Sequence, residues 1–208
     1  MYDKFQSTAE HILRATSTAE APWLVVEGGD ERYRNLTIGR AILDSIRRRL
    51  DEPAKPRGVR AAARLTPIDD VSVLDRLDLS QTIDKEVYKD ELAELQGWLN
   101  RLSRHKRFDK LSVVCAFEGS DAAGKGGAIR RVTQALDARK YDVIPIAAPT
   151  DEEKARPYLW RFWRNLPERG RMTIYDRSWY GRVLVERVEG YCSESDWMRA
   201  YGEINDFE

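Results

Sequence analysis

Residues 111–132, LSVVCAFEGSDAAGKGGAIRRV, carry the clearest structural signal in this chain of 208 residues. The first seven of them are almost continuously apolar, which is typical of a parallel strand buried on both faces. Glycines then cluster in residues 119–127, and apolar residues return at helical spacing at Ile129, Val132 and Leu136. The pattern predicts a strand, a glycine-rich loop and a helix in direct succession.

The flanking segments extend this pattern. A helix is predicted from about Asp84 to Leu102, because apolar residues recur there every three or four positions. Further strands are predicted at residues 143–146 and 172–175, with a helix beginning at Thr150 between them. Strands that alternate with helices indicate a parallel sheet covered by those helices. We therefore expect an α/β fold, a P-loop kinase-like parallel sheet with helices on both faces, incomplete in this chain.

The first 73 residues are predicted to form a separate segment followed by a linker. A short strand is predicted at residues 22–26, and a helix runs from about Leu36 to Leu50 with three arginines in its last turn. Basic residues there suit the negative end of a helix. Residues 53–73 carry three prolines without any periodicity, which is typical of a linker.

The charge balance and the two cysteines argue against several classes of protein. The 35 basic residues are balanced by 35 acidic ones, whereas proteins that bind nucleic acids or membranes usually show a basic excess. We therefore expect neither partner. The two cysteines, Cys115 and Cys192, lack the spacing of a zinc site or a disulfide framework. No stretch reads as a signal peptide or a membrane-spanning helix, so we expect a cytoplasmic protein.

Residues 119–126 fit G-x-x-x-x-G-K, the pattern of a phosphate-binding loop. Glycines let backbone N–H groups turn towards a phosphate, and the positive end of the following helix adds to the attraction. Lys125 is predicted to supply a mobile cation for the transferring group. A glycine-rich turn that binds nothing is the alternative. The other residues predicted to bind phosphate are Gly119, Ala122, Ala123, Gly124, Gly126, Gly127, Arg130 and Arg182.

Two carboxylates are predicted to bind magnesium. Gly126 stands where a Ser or Thr hydroxyl normally holds Mg²⁺, so we expect Asp121 inside the loop to take that role. Asp176 ends a predicted strand, and the carboxyl ends of parallel strands face the phosphate loop. It is the second predicted ligand. The alternative for Asp121 is that it caps the following turn. Arg177, next to Asp176, is the best candidate for neutralising a polyanion.

Residues 156–164 alternate arginines with aromatic residues. Base stacking in a single-stranded nucleic-acid site is one interpretation. An aromatic core face with arginine stems packed around it is the better one. His11 and His105 are isolated in polar sequence, and we expect both on the surface.

Several strings together resemble the polyphosphate kinase 2 family. The resemblance runs from about Leu74 to Glu208, and DRSWYGR at residues 176–182 is its most specific part. It implies that inorganic polyphosphate donates phosphoryl groups to nucleotides, with Mg²⁺ held by aspartates. Catalytic roles then fall on Asp121, Lys125, Asp176 and Arg177. The other strings lie at residues 117–127, 141–145, 148–150 and 157–163.

The first block adds a second resemblance. Residues 1–52 are similar to the carboxy-terminal end of a domain of the same family, whereas residues 74–208 resemble the beginning of one. A domain end, a linker at residues 53–73 and a domain start imply two fused copies, as in the polyphosphate:AMP phosphotransferase branch. The chain is then expected to be a fragment that stops within a helix. The full-length protein is expected to be a homo-oligomer.

The resemblance implies Mg²⁺-dependent phosphoryl transfer from inorganic polyphosphate to AMP, giving ADP. One alternative is transfer to nucleoside diphosphates, giving ATP or GTP. Another is a fragment that binds phosphate without catalysis. The phosphate of AMP is already ionised, so the obstacle is repulsion between two polyanions, which Lys125, Arg177 and Mg²⁺ are expected to offset.

Overall fold

The computed structural model describes residues 2–18, 21–51, 74 and 77–208. The chain divides into two compact units, and each unit combines separated parts of the sequence. The first unit contains the described residues of Met1–Val25, Lys55–Leu77 and Trp179–Glu208. The second contains those of Val26–Ala54 and Asp78–Ser178.

Between residues 85 and 176, helices separate the described strands along the chain. The helices are α1 (Tyr2–Thr16), α2 (Glu31–Asp51), α3 (Lys85–Ser103), α4 (Lys125–Thr133), α5 (Asp151–Lys154), α6 (Trp160–Trp163), α7 (Val185–Glu189) and α8 (Glu194–Phe207). The strands are β1 (Ser112–Phe117), β2 (Tyr141–Pro145) and β3 (Arg171–Asp176). None of these helices is long and apolar enough to cross a lipid bilayer.

A three-stranded parallel sheet organises the second unit, with β3 between β1 and β2. In the β1–β3 pair, Ser112 lies opposite Arg171 and Phe117 lies opposite Asp176. Both strands therefore end at the same level. Because the carboxyl ends of parallel strands meet at one edge of a sheet, the segment after Phe117 and the segment after Asp176 begin side by side.

One face of the sheet packs against helices α2, α3 and α4. Met172 and Ile174 of β3 are 1% and 0% exposed, and they form a core with Ile46 of α2, Leu99 of α3 and Ile129 of α4. Burial of a large aliphatic side chain contributes about 1.5–3 kcal/mol, so this core is a main source of stability for the unit. Its members fall at the helical and strand positions that the apolar periodicity predicts.

The aromatic stretch packs on the other face of the sheet. Tyr175 is fully buried, and its hydroxyl donates to the carbonyl of Phe162 at 2.8 Å. Thr173 donates in the same way to the carbonyl of Asn165 at 2.9 Å. Arg161 is buried and donates to the carbonyl of Ala147. The prediction of an aromatic core face is confirmed, and so is the α/β fold with helices on both faces of a parallel sheet.

The strand predicted at residues 111–117 forms as β1, but it is not buried on both faces. It lies at the edge of the described three-stranded sheet, and Val114 is 41% exposed.

The sequence led to one further error and one overestimate. No strand forms at residues 22–26. The backbone N–H of Trp23 donates to the side chain of Ser17 at 3.2 Å, and no strand among the described residues pairs with this segment. The capping box at Thr150 and Glu153 is confirmed, but the helix that follows it is only four residues long. The predicted linker, residues 53–73, lies outside the described residues.

Helices α1, α7 and α8 form the first unit together with the turn at Trp179–Arg182. Val183 and Ile204 are fully buried in it, and Ile12 is 3% exposed. The guanidinium of Arg187 lies 3.9 Å from the ring centroid of Trp197 and donates to the hydroxyl of Tyr201 at 2.8 Å. His11 of this unit and His105 of the second are both exposed, as expected.

Helix α2 shares a core with the segment that follows the predicted linker. Asn35 donates to the hydroxyl of Tyr88 on α3 at 3.2 Å, and Ile46 belongs to the core cluster beneath the sheet. The boundaries predicted from sequence, at residues 52 and 74, refer to domains along the chain and remain a prediction. The compact units observed here combine residues from both sides of those boundaries.

Candidate active site

The loop between β1 and α4 curls because two of its residues adopt left-handed backbone conformations. Gly124 has φ 87° and Ala122 has φ 64°. Glycine adopts such a conformation at little cost, whereas alanine is strained by it. The N–H of Ala123 donates to the carbonyl of Ser120 at 3.2 Å, which closes the turn. Helix α4 then begins at Lys125, and the N–H groups of its first turn have no partners within the helix. These groups form a potential anion site.

Lys125 folds back over the loop. Its Nζ donates to the carbonyls of Gly119 at 2.9 Å and Ser120 at 3.0 Å. Both acceptors are neutral, so these bonds place the ammonium at the loop without cancelling its charge. No carboxylate lies within ion-pair distance of it in the described part of the chain. The ammonium can therefore act on an anion held at the loop.

Asp121 of the loop and Arg177 at the end of β3 form an ion pair that the sequence analysis did not predict. Arg177 Nη2 lies 2.7 Å from Asp121 Oδ1. The two side chains are 50% and 90% exposed, so solvent screens the pair and it contributes little stability. Arg177 itself has a left-handed φ of 66°, and its N–H donates to the carbonyl of Phe117 at 3.0 Å. Because the pair is weak, Arg177 can release Asp121 to bind an anion, and Asp121 can then bind a cation.

Asp176 lies at the same edge of the sheet. It is the last residue of β3, is half-buried and pairs in register with Phe117, the residue at which β1 ends. Its carbonyl accepts the N–H of Ile146 at 3.0 Å, which fixes the backbone there. Magnesium in phosphate sites usually takes one or two carboxylates, with water and phosphate oxygens completing its shell. Asp121 and Asp176 fit that donor set.

A closed metal site built only from protein ligands is not evident. No group of three or more His, Cys, Asp or Glu side chains suitable for a metal occurs in residues 2–18, 21–51, 74 and 77–208. The two aspartates thus remain candidates for an ion that is shared with substrate phosphates.

Glu118 is a residue of the site that sequence reasoning missed. Its Oε1 accepts two hydrogen bonds from Ser178, one from the backbone N–H and one from the hydroxyl, both at 2.7 Å. These bonds join the start of the loop to the residue after Arg177. Burial raises the pKa of Glu118, and the bonds from Ser178 and the charges of Lys125 and Arg177 oppose that rise. The sequence offered only its position beside the glycine loop as a signal.

The raised pKa of Glu118 gives a testable pH dependence. A carboxyl whose pKa is higher in the folded state stabilises the fold at low pH, and that contribution is lost as the pH rises through the folded pKa. Glu118→Gln cannot ionise. As the pH rises from the ordinary pKa of a glutamate to the raised pKa of Glu118, we expect its free energy of unfolding to fall less than that of the wild type. Urea unfolding curves from about pH 4 to pH 8 measure the difference. A difference that is independent of pH would contradict this assignment.

Two of the arginines predicted to bind phosphate lie outside the glycine loop in the sequence. Arg130 is exposed on α4. Arg182 belongs to the first unit, where its Nε lies 3.0 Å from Glu186 Oε2 and its Nη1 lies 4.0 Å from Asp196 Oδ2. The phosphate-binding roles predicted for these two arginines and for the loop residues stay predictions.

Comparison with known proteins identifies one family over most of the chain. Residues 1–54 and 82–208 match the family described as polyphosphate kinase 2. A polyphosphate:AMP phosphotransferase of Pseudomonas aeruginosa is 59% identical over 210 residues, and the match covers 100% of this chain and 42% of the relative. A second one, from Pseudomonas syringae pv. tomato, is 54% identical over 211 residues with the same two coverages. The chain thus spans less than half the length of these relatives.

More distant relatives and a solved structure share the same family name or chemistry. A GDP-polyphosphate phosphotransferase of Mycobacterium tuberculosis is 40% identical over 116 residues, which covers 56% of this chain and 39% of the relative. A crystal structure from Pseudomonas aeruginosa named for polyphosphate kinase 2 has a TM-score of 0.65 and 56% sequence identity. That match covers 99% of this chain and 42% of the solved one.

Proposed function

Because the chain belongs to the polyphosphate kinase 2 family, we propose that it carries the phosphate-handling part of an enzyme that phosphorylates AMP to ADP. The donor is inorganic polyphosphate. The main support is the contact between Arg177 and Asp121 at 2.7 Å, since it brings the glycine loop next to the end of β3. The relatives that match the whole chain are named polyphosphate:AMP phosphotransferases.

The loop and Lys125 hold the terminal phosphoryl group of the polyphosphate. The N–H groups at the start of α4 and the ammonium, already placed by the carbonyls of Gly119 and Ser120, surround its oxygens. Asp121 and Asp176 would hold a bound Mg²⁺, which would neutralise charge on the phosphates. The guanidinium of Arg177, exchanged from Asp121, donates to the same anion.

The transfer itself needs no enzyme nucleophile. An oxygen of the AMP phosphate attacks the terminal phosphorus of the polyphosphate, and the P–O bond to the rest of the chain breaks. The products are ADP and a polyphosphate shorter by one unit. The acceptor oxygen is already ionised, so the enzyme contributes alignment and charge neutralisation and does not need a strong base.

The acceptor is the point that an assay can test directly. We expect the complete gene product, given polyphosphate and Mg²⁺, to form ADP from AMP faster than it forms ATP from ADP or GTP from GDP. Chromatographic separation of the nucleotides measures all three rates in parallel. Faster phosphorylation of ADP or GDP would support the alternative, nucleoside diphosphates as acceptors, for which other relatives are named. Binding of polyphosphate without any turnover would contradict both.

The wider setting of the enzyme is proposed on the same basis. Polyphosphate and a nucleotide are its partners. A cytoplasmic location, self-association of the complete protein and the lack of nucleic-acid and membrane binding remain predictions from the sequence.

A further inference from the structure

Arg34 on α2 lies directly on the glycine loop, although it is far from the loop in the sequence. Gly124 has no side chain, and the guanidinium of Arg34 occupies the space where one would be: a Cβ built on Gly124 would overlap Cζ, Nη2 and Nε. The residue before Lys125 is therefore a glycine for two reasons, its φ of 87° and its contact with Arg34. The guanidinium of Arg34 thus contacts the loop at Gly124, the residue directly before Lys125.

Several contacts fix the position of this guanidinium. Arg34 Nη1 donates to the carbonyl of Gly28 at 2.6 Å. The same end of α2 is attached to α4 by an ion pair between Glu31 and Arg131 at 2.8 Å. Asp30 caps the helix by accepting the N–H of Tyr33 at 2.6 Å. The start of α2 thus carries Arg34 to the loop on a rigid element.

The charge of Arg34 is not compensated in the described part of the chain. No carboxylate there lies within ion-pair distance of it, whereas Arg32, Arg40 and Arg47 on the same helix pair with Asp30, Glu91 and Asp44. Arg34 Nε is buried without a hydrogen-bond partner among the described residues. An arginine remains charged at any physiological pH, so this position adds a full positive charge to the loop.

We propose that Arg34 is an anion-binding residue of this site, which donates to the condensed phosphate held by the loop. The inference rests on the proposed function, because it assumes that the loop holds polyphosphate. Nη1 is engaged by Gly28, and Nη2 lies against Gly124, next to the N–H groups that open α4. A helix that precedes the predicted linker is then part of the binding site.

Binding of inorganic tripolyphosphate, measured by titration calorimetry without Mg²⁺, tests this role. We expect Arg34→Gln to weaken binding about 10- to 100-fold, because a charge-assisted hydrogen bond is lost. Arg34→Lys keeps the charge and is expected to weaken it by less than about fivefold. The matched control is Arg40→Gln, which removes the same charge from the same helix, and we expect it to bind like the wild type.

The outcomes separate this inference from the proposed function. Wild-type affinity in Arg34→Gln overturns the inference, and so does Arg34→Lys binding as weakly as Arg34→Gln, since the charge would then not matter. Thermal melting without tripolyphosphate checks folding, and Arg34→Met, which keeps the apolar stem, replaces Arg34→Gln if the latter does not fold. If Lys125→Ala loses affinity and Arg34→Gln does not, only this inference fails. If Lys125→Ala also binds normally, the loop is not a phosphate site and the proposed function fails.

Discussion

Replacing Lys125 by alanine is expected to lower the rate of ADP formation from AMP and polyphosphate by about 1,000-fold or more. The ammonium is held over the loop by two neutral carbonyls, and it has no carboxylate partner in the part of the chain that the structure describes. Its charge is therefore directed at the bound anion. As charge spreads over the transferring group, that interaction strengthens, so its loss affects turnover as well as binding.

The measurement is a coupled assay of ADP on the complete gene product, with saturating polyphosphate. The matched control is Lys154→Ala, which removes an exposed lysine that pairs only with Asp151 in the described residues. The net charge changes equally in both variants, so a wild-type rate in Lys154→Ala, which we expect, would show that the loss in Lys125→Ala depends on the position of the charge. A rate for Lys125→Ala within about tenfold of the wild type would remove Lys125 from the mechanism.

The parts of the fold that the sequence predicts well are those in which a single local pattern determines the structure. Residues 111–117 form the predicted strand because it pairs with β3 and because Val113 and Cys115 pack against the core. The stripe on α3 repeats every three or four residues because one face of that helix packs on α2 and the sheet. The glycine loop was identified for the same reason, since its spacing reflects backbone geometry at Gly124.

The residues that the sequence did not reveal depend on contacts between distant segments. Arg34 is one of several arginines in α2, and only the packing of that helix distinguishes it from Arg40 or Arg47. Glu118 takes its role from Ser178, a residue that reaches it through the pairing of β1 with β3. No local spacing encodes either contact.

The wrong strand at residues 22–26 has the same origin. Its composition suits a strand, but a strand also needs a neighbour with free carbonyl and N–H groups. In the structure, Trp23 instead donates its indole N–H to Thr16 Oγ1 at 2.8 Å and stacks near Tyr180, with ring centroids 4.4 Å apart. Tertiary packing within the first unit thus overrides the local preference.

Asp176→Asn is expected to lower the rate of transfer about 1,000-fold at a fixed, moderate Mg²⁺ concentration. The substitution keeps the size of the side chain and removes its charge. It leaves the backbone carbonyl of Asp176 bonded to the N–H of Ile146, so the end of β3 should hold its position. We also expect the Mg²⁺ concentration needed for half of the maximal rate to increase, because one of the two proposed ligands becomes a weaker donor.

That second readout distinguishes a metal ligand from a residue that only supports the strand. A structural role predicts a lower melting temperature and an unchanged Mg²⁺ dependence. A ligand role predicts an unchanged melting temperature and a higher Mg²⁺ requirement. Asp142→Asn is the matched control, since Asp142 lies exposed on the neighbouring strand β2 and pairs with Arg171 at 2.7 Å. It loses the same charge away from the carboxyl edge of β3, so we expect its rate and Mg²⁺ dependence to stay close to the wild type. An Asp176→Asn enzyme that turns over normally at the usual Mg²⁺ concentration would leave Asp121 as the only candidate ligand of the two and require a different metal site.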